Sequence, residues 1–225
     1  MGEAGVKSLE QRQREKYVRR AAIPSRFHGR TLRDLKVPTE VLVPCLAFVE
    51  RVAAGAEPVG KGLLLHGRPG RGKTTIAVCA LMDTLATAPR EALGKAPESD
   101  AMRPGYYSTY AEMIFEHKNS WGRTEDSSAS EDLLKSLYGR QVNDWWNTRV
   151  LVLDDVGKEH SGQSGFTVNT LHDLLRSRYD KGLPTVVTTN LDPSDWGMSY
   201  GEAMASFIHE AFTIVAVGGS DRRRT

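Results

Sequence analysis

Cysteine is nearly absent from this chain. Cys45 and Cys79 are spread over 225 residues, with no Cys-x-x-Cys pair and no Cys/His cluster. That spacing excludes a disulfide framework and a zinc site, and it suits a reducing cytosol. Long apolar runs are missing too. Nothing approaches the roughly 20 residues of a membrane span, and the first 20 residues lack the apolar stretch of a secretory signal. Charge of one sign is scarce: the net charge is +2, which announces no nucleic-acid binder. The distribution is less even, because residues 1–36 carry ten Lys and Arg against four Asp and Glu. No internal repeat is visible.

What the chain does have is Gly67-Arg68-Pro69-Gly70-Arg71-Gly72-Lys73-Thr74, followed by Thr75. It fits the phosphate-loop pattern G-x-x-x-x-G-K-[ST] at every fixed position. The flanks fit as well. Gly62 to His66 is a short apolar run that predicts a buried strand. Thr74 to Ala88 has helical apolar spacing and stops at Pro89. Glycines let the backbone wrap phosphate oxygens, and the helix N-terminus adds partial positive charge. Lys73, placed at the surface at the helix start, is expected to reach the β- and γ-phosphates of ATP. The Thr74 hydroxyl is expected to ligate Mg²⁺.

Along the chain, residues 1–20 predict a polar, basic helix, either frayed or docked on a partner. They are taken as an extension, with the main domain at 21–225. Thr39 to Ala54 predicts a helix. Pro89 to Pro104 is a surface loop, Gly105 to Thr109 a strand, and Glu112 to Lys118 a helix. Asn119 to Ser130 is polar, and Glu131 to Trp146 predicts another helix. Phe166 to Asp180 is an amphipathic helix facing inward through Val168, Leu171, Leu174, Leu175 and Tyr179. Tyr200 to Phe212 predicts a helix and Thr213 to Val217 a last strand. Strands alternating with helices give a parallel α/β sheet.

Val150 to Leu153 is an apolar run ending in Asp154-Asp155. Asp154 is placed to hold Mg²⁺ through water, and Asp155 to orient or deprotonate the attacking water. Ligands of open α/β sheets lie at such strand C-termini. Asn190 ends another apolar strand, Thr185 to Asn190. If that strand lies between the phosphate-loop strand and the Asp154 strand, Asn190 reaches the γ-phosphate or the water.

Taken together, these segments resemble the DnaC/IstB group of AAA+ ATPases. The residues that carry the likeness are Ile23-Pro24-x-x-Phe27, the phosphate loop, Leu153 to Glu159, Arg178-Tyr179, Leu183 to Asn190, and Val215-x-Val217-x-Gly219-x-x-x-Arg223. The resemblance spans about residues 20–223. It implies an AAA+ P-loop fold with sheet order 5-1-4-3-2, ATP and Mg²⁺, and self-association on ATP. It also implies a hexameric DnaB-type replicative helicase as partner and weak single-stranded DNA binding. By that likeness Asn190 is the sensor 1 residue, Arg223 the sensor 2 arginine, and Ile23 and Phe27 wall the base pocket, although ordinary core packing accounts for those two equally well.

Two features depart from the group. Its usual Ser-Arg-Leu, whose arginine acts on a neighbouring subunit's ATP, stands here as Ser206-Phe207-Ile208, and its Gly-Glu-Arg as Gly201-Glu202-Ala203. Slow hydrolysis, or another arginine, is then expected. The short N-terminal segment lies nearer the transposition branch or a reduced phage loader. Three readings stand: a helicase-loading ATPase, an IstB-like transposition ATPase, and a weakly hydrolysing adaptor.

Overall fold

The computed structural model describes residues 9–56, 60–88, 104–122, 124–158 and 165–219. Glu159, Arg123, Arg223 and most of the 89–104 stretch lie outside them. Five strands form one sheet: β1 (Gly62–His66), β2 (Gly105–Thr109), β3 (Val150–Val156), β4 (Thr185–Thr189) and β5 (Phe212–Ala216). Their order is β2-β3-β4-β1-β5, the expected one seen from the other edge. Every pairing is parallel.

Parallel strands are covered on both faces, so their sequences are continuous apolar runs. Alternate residues divide between two cores. Leu63, Leu65, Val150, Val152 and Val186 face one, where α1 (Leu9–Arg20), α2 (Thr39–Ala54) and α3 (Lys73–Thr87) pack. Leu64, Leu151, Leu153 and Val187 face the other. That side is covered by α4 (Tyr110–Asn119), α5 (Glu125–Leu137), α6 (Gly165–Asp180), α7 (Trp196–Tyr200) and α8 (Glu202–Ala211).

Two helices differ from their predicted bounds. The helix expected over Glu131–Trp146 begins at Glu125, because Thr124 caps it: its hydroxyl accepts from the Ser127 amide and the Ser127 hydroxyl accepts from the Thr124 amide. It ends at Leu137, since Gly139 takes φ +69° and turns the chain. Trp146 therefore sits in a separate single turn and is 44% exposed. The helix expected over Tyr200–Phe212 begins at Glu202 and ends at Ala211, because Gly201 takes φ +87° and separates it from the short α7, which ends at Tyr200.

The basic segment is seated on the domain at its last turn. Tyr17 and Ala21 are buried, and the Ala21 carbonyl accepts from the Tyr107 amide on the edge strand β2 at 2.7 Å. Beyond it, Leu32 is fully buried and its amide donates to Asp83 Oδ2 of α3 at 2.9 Å. This strap holds Phe27 and Leu35 beside the phosphate loop.

Arg178 falls on the inward stripe of α6, three residues after Leu175 and four after Leu174; its charge argued against burial, yet it is fully buried. Its guanidinium donates to the carbonyls of Leu137, Thr148, Arg149 and Pro184 and to the Thr185 hydroxyl. It thus ties the end of α5 to the starts of β3 and β4. Burial lowers its pKa and Arg149 lowers it further, while the carbonyl acceptors favour the charged form. Arg178→Met keeps the volume and strands these acceptors. Each buried acceptor left unpaired costs about 1–3 kcal/mol, so a loss of at least about 3 kcal/mol is expected in urea unfolding. A shift under about 1 kcal/mol refutes the clamp.

Candidate nucleotide-binding site

The phosphate loop leaves β1 at His66 and enters α3 at Lys73. Gly67, Gly70 and Gly72 have φ of +138°, +79° and +90°, a region that favours glycine. A Cβ on Gly67 would lie 2.6 Å from the Val217 carbonyl oxygen, so the loop also needs a bare backbone where it passes the end of β5.

Lys73 is buried, not at the surface as the sequence suggested. Its ammonium donates to the carbonyls of Gly67 at 2.6 Å and Arg68 at 3.0 Å, and to Asn190 Oδ1 at 2.8 Å. The last contact joins the phosphate loop to the end of β4, which pairs with both β1 and β3.

Asp154 is buried at the end of β3. Three hydroxyls donate to its carboxylate: Thr74 at 3.0 Å, Tyr107 at 2.9 Å and Thr188 at 2.5 Å. Among the described residues no Lys, Arg or His pairs with it. Hydroxyls orient a carboxylate but do not neutralise it, and a buried charge needs a counterion. A divalent cation beside Thr74 fits that need, and Mg²⁺ characteristically takes one or two carboxylates and completes its shell with water and phosphate. Burial raises the Tyr107 pKa, and the neighbouring Asp154 charge raises it further, so the phenol keeps the proton it donates.

Asp155 turns away from its neighbour. Its φ is +60°, its amide donates to the Thr188 hydroxyl at 3.0 Å, and β3 and β4 slip register here. Such a backbone costs on the order of 1–3 kcal/mol and collects at functional sites. The carboxylate accepts from Lys158 at 2.6 Å.

Lys73, Thr74, Asp155, Lys158 and Asn190 line one cleft of about 480 Å³; Asp154 is not among its lining residues but bonds Thr74, which is. Phe27 and Leu35 are among the lining, with the Arg26 guanidinium 4.7 Å over the Phe27 ring. Pro69, Gly70, Gly72, Lys73, Thr74 and Thr75 line it from the loop and the start of α3, and Asp155, Lys158 and Asn190 from the ends of β3 and β4. Gly67, Arg68 and Arg71 belong to the loop without lining the cleft. Ile23 is buried in the core and also does not line it. Sequence reasoning missed Arg26, Arg30, Leu35 and Lys158 as lining residues. The signal for Arg26 and Arg30 was the basic stretch before residue 36; Leu35 carried none. Phe207, where the group's arginine stands, is buried against Tyr179 and Phe212, and Arg176 lies over its ring at 4.6 Å.

The crystal structure of the DnaC helicase loader matches with a TM-score of 0.64 and 23% identity, over 87% of this chain and 100% of that chain. The crystal structure of DnaI matches at 0.61 and 22%, over 90% and 95%. Replication initiator DnaA, bound to AMPPCP and single-stranded DNA, matches at 0.58 and 14%, over 90% of this chain and 53% of that chain. The fold is that of the AAA+ P-loop ATPases. At these identities the likeness is one of fold. No protein-family model and no curated protein matches the sequence. Within this fold the cleft lies at the C-terminal ends of the parallel strands, beside the switch in strand order between β1 and β4, where such sheets bind ligands. Among the described residues no helix is long and apolar enough to cross a membrane.

Proposed function

We propose that this chain is an ATPase of the DnaC-like helicase-loader type, acting in DNA replication. One observation carries the nucleotide part: Lys73 meets Asn190, and Thr74 meets Asp154, so three separate strand ends converge on one cleft. The likeness to a helicase loader along nearly all of both chains supports the rest. When bound, Mg·ATP supplies the phosphoryl group that water attacks. Lys73 would bind its β- and γ-phosphates, Thr74 and Asp154 would hold the metal, Asn190 would position the γ-phosphate or the water, and Asp155 would take the water's proton. Phe27 and Leu35 hold the base. Arg223 as sensor 2 and Ile23 in the base pocket rest on the family likeness alone.

The partner is a hexameric DnaB-type helicase, engaged by the basic N-terminal segment, with self-association on ATP. An isolated helix as short as α1 is marginal in water, and its last turn is seated on the domain through Tyr17. Deleting residues 1–14 spares Tyr17 and is expected to abolish co-elution with the helicase while ATP binding persists. Co-elution of the truncated chain moves the contact to the ATPase domain. Co-elution of the full chain with a transposase, and not with the helicase, selects an IstB-like role. The buried Phe207 favours a second reading, an adaptor that binds ATP and hydrolyses it weakly. Steady-state phosphate release separates it from the first.

Single-stranded DNA binding is a further part of the reading. Trp121 is 67% exposed, its ring set edge-on against Phe166 at 5.2 Å between α4 and α5. An exposed aromatic can stack a base for about 1–3 kcal/mol. Weak, salt-sensitive binding is expected in anisotropy titrations, reduced by Trp121→Ala. Binding at low salt that ignores this change refutes Trp121 as the contact.

A further inference from the structure

Lys158 is not absorbed by the roles above. It follows β3 by two residues, and its ammonium sits in the nucleotide cleft with Lys73, Thr74, Asp155 and Asn190. The turn that brings it there is built for the purpose. Asp155 at φ +60° and Gly157 at φ +92° fold the chain back over the strand end. A Cβ on Gly157 would lie 2.8 Å from Leu191 Cδ1 and 3.3 Å from Thr189 Oγ1, so the turn is packed against the β4 end that carries Asn190.

The lining of the cleft is mixed. Phe27 and Leu35 are its large apolar side chains, suited to a base. Lys158 pairs with Asp155, which neighbours the Thr74–Asp154 pair in the chain, and shares the cleft with the Lys73–Asn190 contact. Its side chain is 47% exposed, and its partner Asp155 is 34% exposed. A half-solvated pair is worth little by itself, so the ammonium is free to exchange one anionic partner for another of greater charge. A terminal phosphate carries more negative charge than a carboxylate and offers three oxygens.

We propose that Lys158 binds the γ-phosphate, donating to a phosphate oxygen in the triphosphate state and to Asp155 otherwise. This rests on the nucleotide reading of the cleft. It gives the site a cation in cis at the third phosphate, on the same chain as the loop. It also frees the Asp155 carboxylate from its ion pair when ATP, and not ADP, is present, so the acid becomes available only with the substrate that needs it.

The test is the affinity of the full chain for ATP and for ADP with Mg²⁺, measured by titration calorimetry in wild type, Lys158→Met and Lys158→Arg. A charge-assisted hydrogen bond of ordinary strength corresponds to a change on the order of tenfold. Lys158→Met is expected to weaken ATP by about that factor and to leave ADP within about twofold, while Lys158→Arg restores the preference. Equal weakening of both nucleotides, or no change in either, overturns the proposal. Faster turnover of Lys158→Met at saturating ATP also overturns it, because Lys158 would then only restrain Asp155. If the wild type binds neither nucleotide, it is the reading of the cleft that falls.

Discussion

Lys73→Ala is expected to abolish measurable binding of ATP while the chain stays folded. The ammonium is the one cation that the loop itself aims into its own cradle, and it is already held there by two loop carbonyls and Asn190. It is prearranged, so the nucleotide gains the full contact without ordering a long side chain. A charge-assisted hydrogen bond contributes about 1.5–3 kcal/mol, and Lys73 is placed to serve two phosphates. A loss on the order of 100-fold or more follows. Because Lys73 is buried, alanine also leaves a small void, and a modest fall in melting temperature is expected. Lys73→Met fills that void and separates the two effects. Titration with a fluorescent ATP analogue reads the affinity, and circular dichroism reads the fold. Wild-type affinity in both variants refutes the site.

Asp155→Asn is expected to retain Mg·ATP and to slow phosphate release by about 10²–10⁴-fold, the usual worth of general-base assistance. Asparagine keeps the shape and, among residues with a Cβ, tolerates the left-handed backbone that Asp155 adopts. The fold around the β3–β4 register slip is then preserved, and the charge and proton-accepting power are what is lost. The ion pair with Lys158 also goes, but both partners are well exposed and the pair contributes little to stability. The affinity for ATP measured beside the rate decides the meaning. An unchanged rate transfers the role to another acid, with Glu159 next in the sequence. A lost affinity would mean that Asp155, and not only Asp154, holds the metal.

Local chemistry made much of this legible. A phosphate loop is a contiguous backbone device, so its glycines, Lys73 and Thr74 declare themselves in eight consecutive residues. Asp154 and Asp155 announce themselves because two carboxylates ending an apolar run contradict burial unless something binds there. The strands were visible because a sheet covered on both faces demands unbroken apolar runs, and their order followed from the resemblance. Helix ends were less legible. The caps at Thr124 and Gly201 depend on backbone angles and on reciprocal side-chain bonds that composition only permits.

What the sequence by itself determined, then, was the parallel α/β sheet, the phosphate loop and the acidic strand end, since each rests on neighbours in the chain. Only the tertiary structure decided which distant residues share the cleft. Lys73 lies 117 residues from Asn190, yet the two touch because β4 inserts between β1 and β3. Arg178 lies inside because four carbonyls from three other segments meet it there. Phe27 and Leu35 reach the cleft because Leu32 and Asp83 pin the strap, while Ile23, in the same short motif, turns into the core. Lys158 enters because two left-handed residues fold the turn back over β4. Contacts between residues far apart in the chain are set by packing and strand order, and no local pattern encodes them.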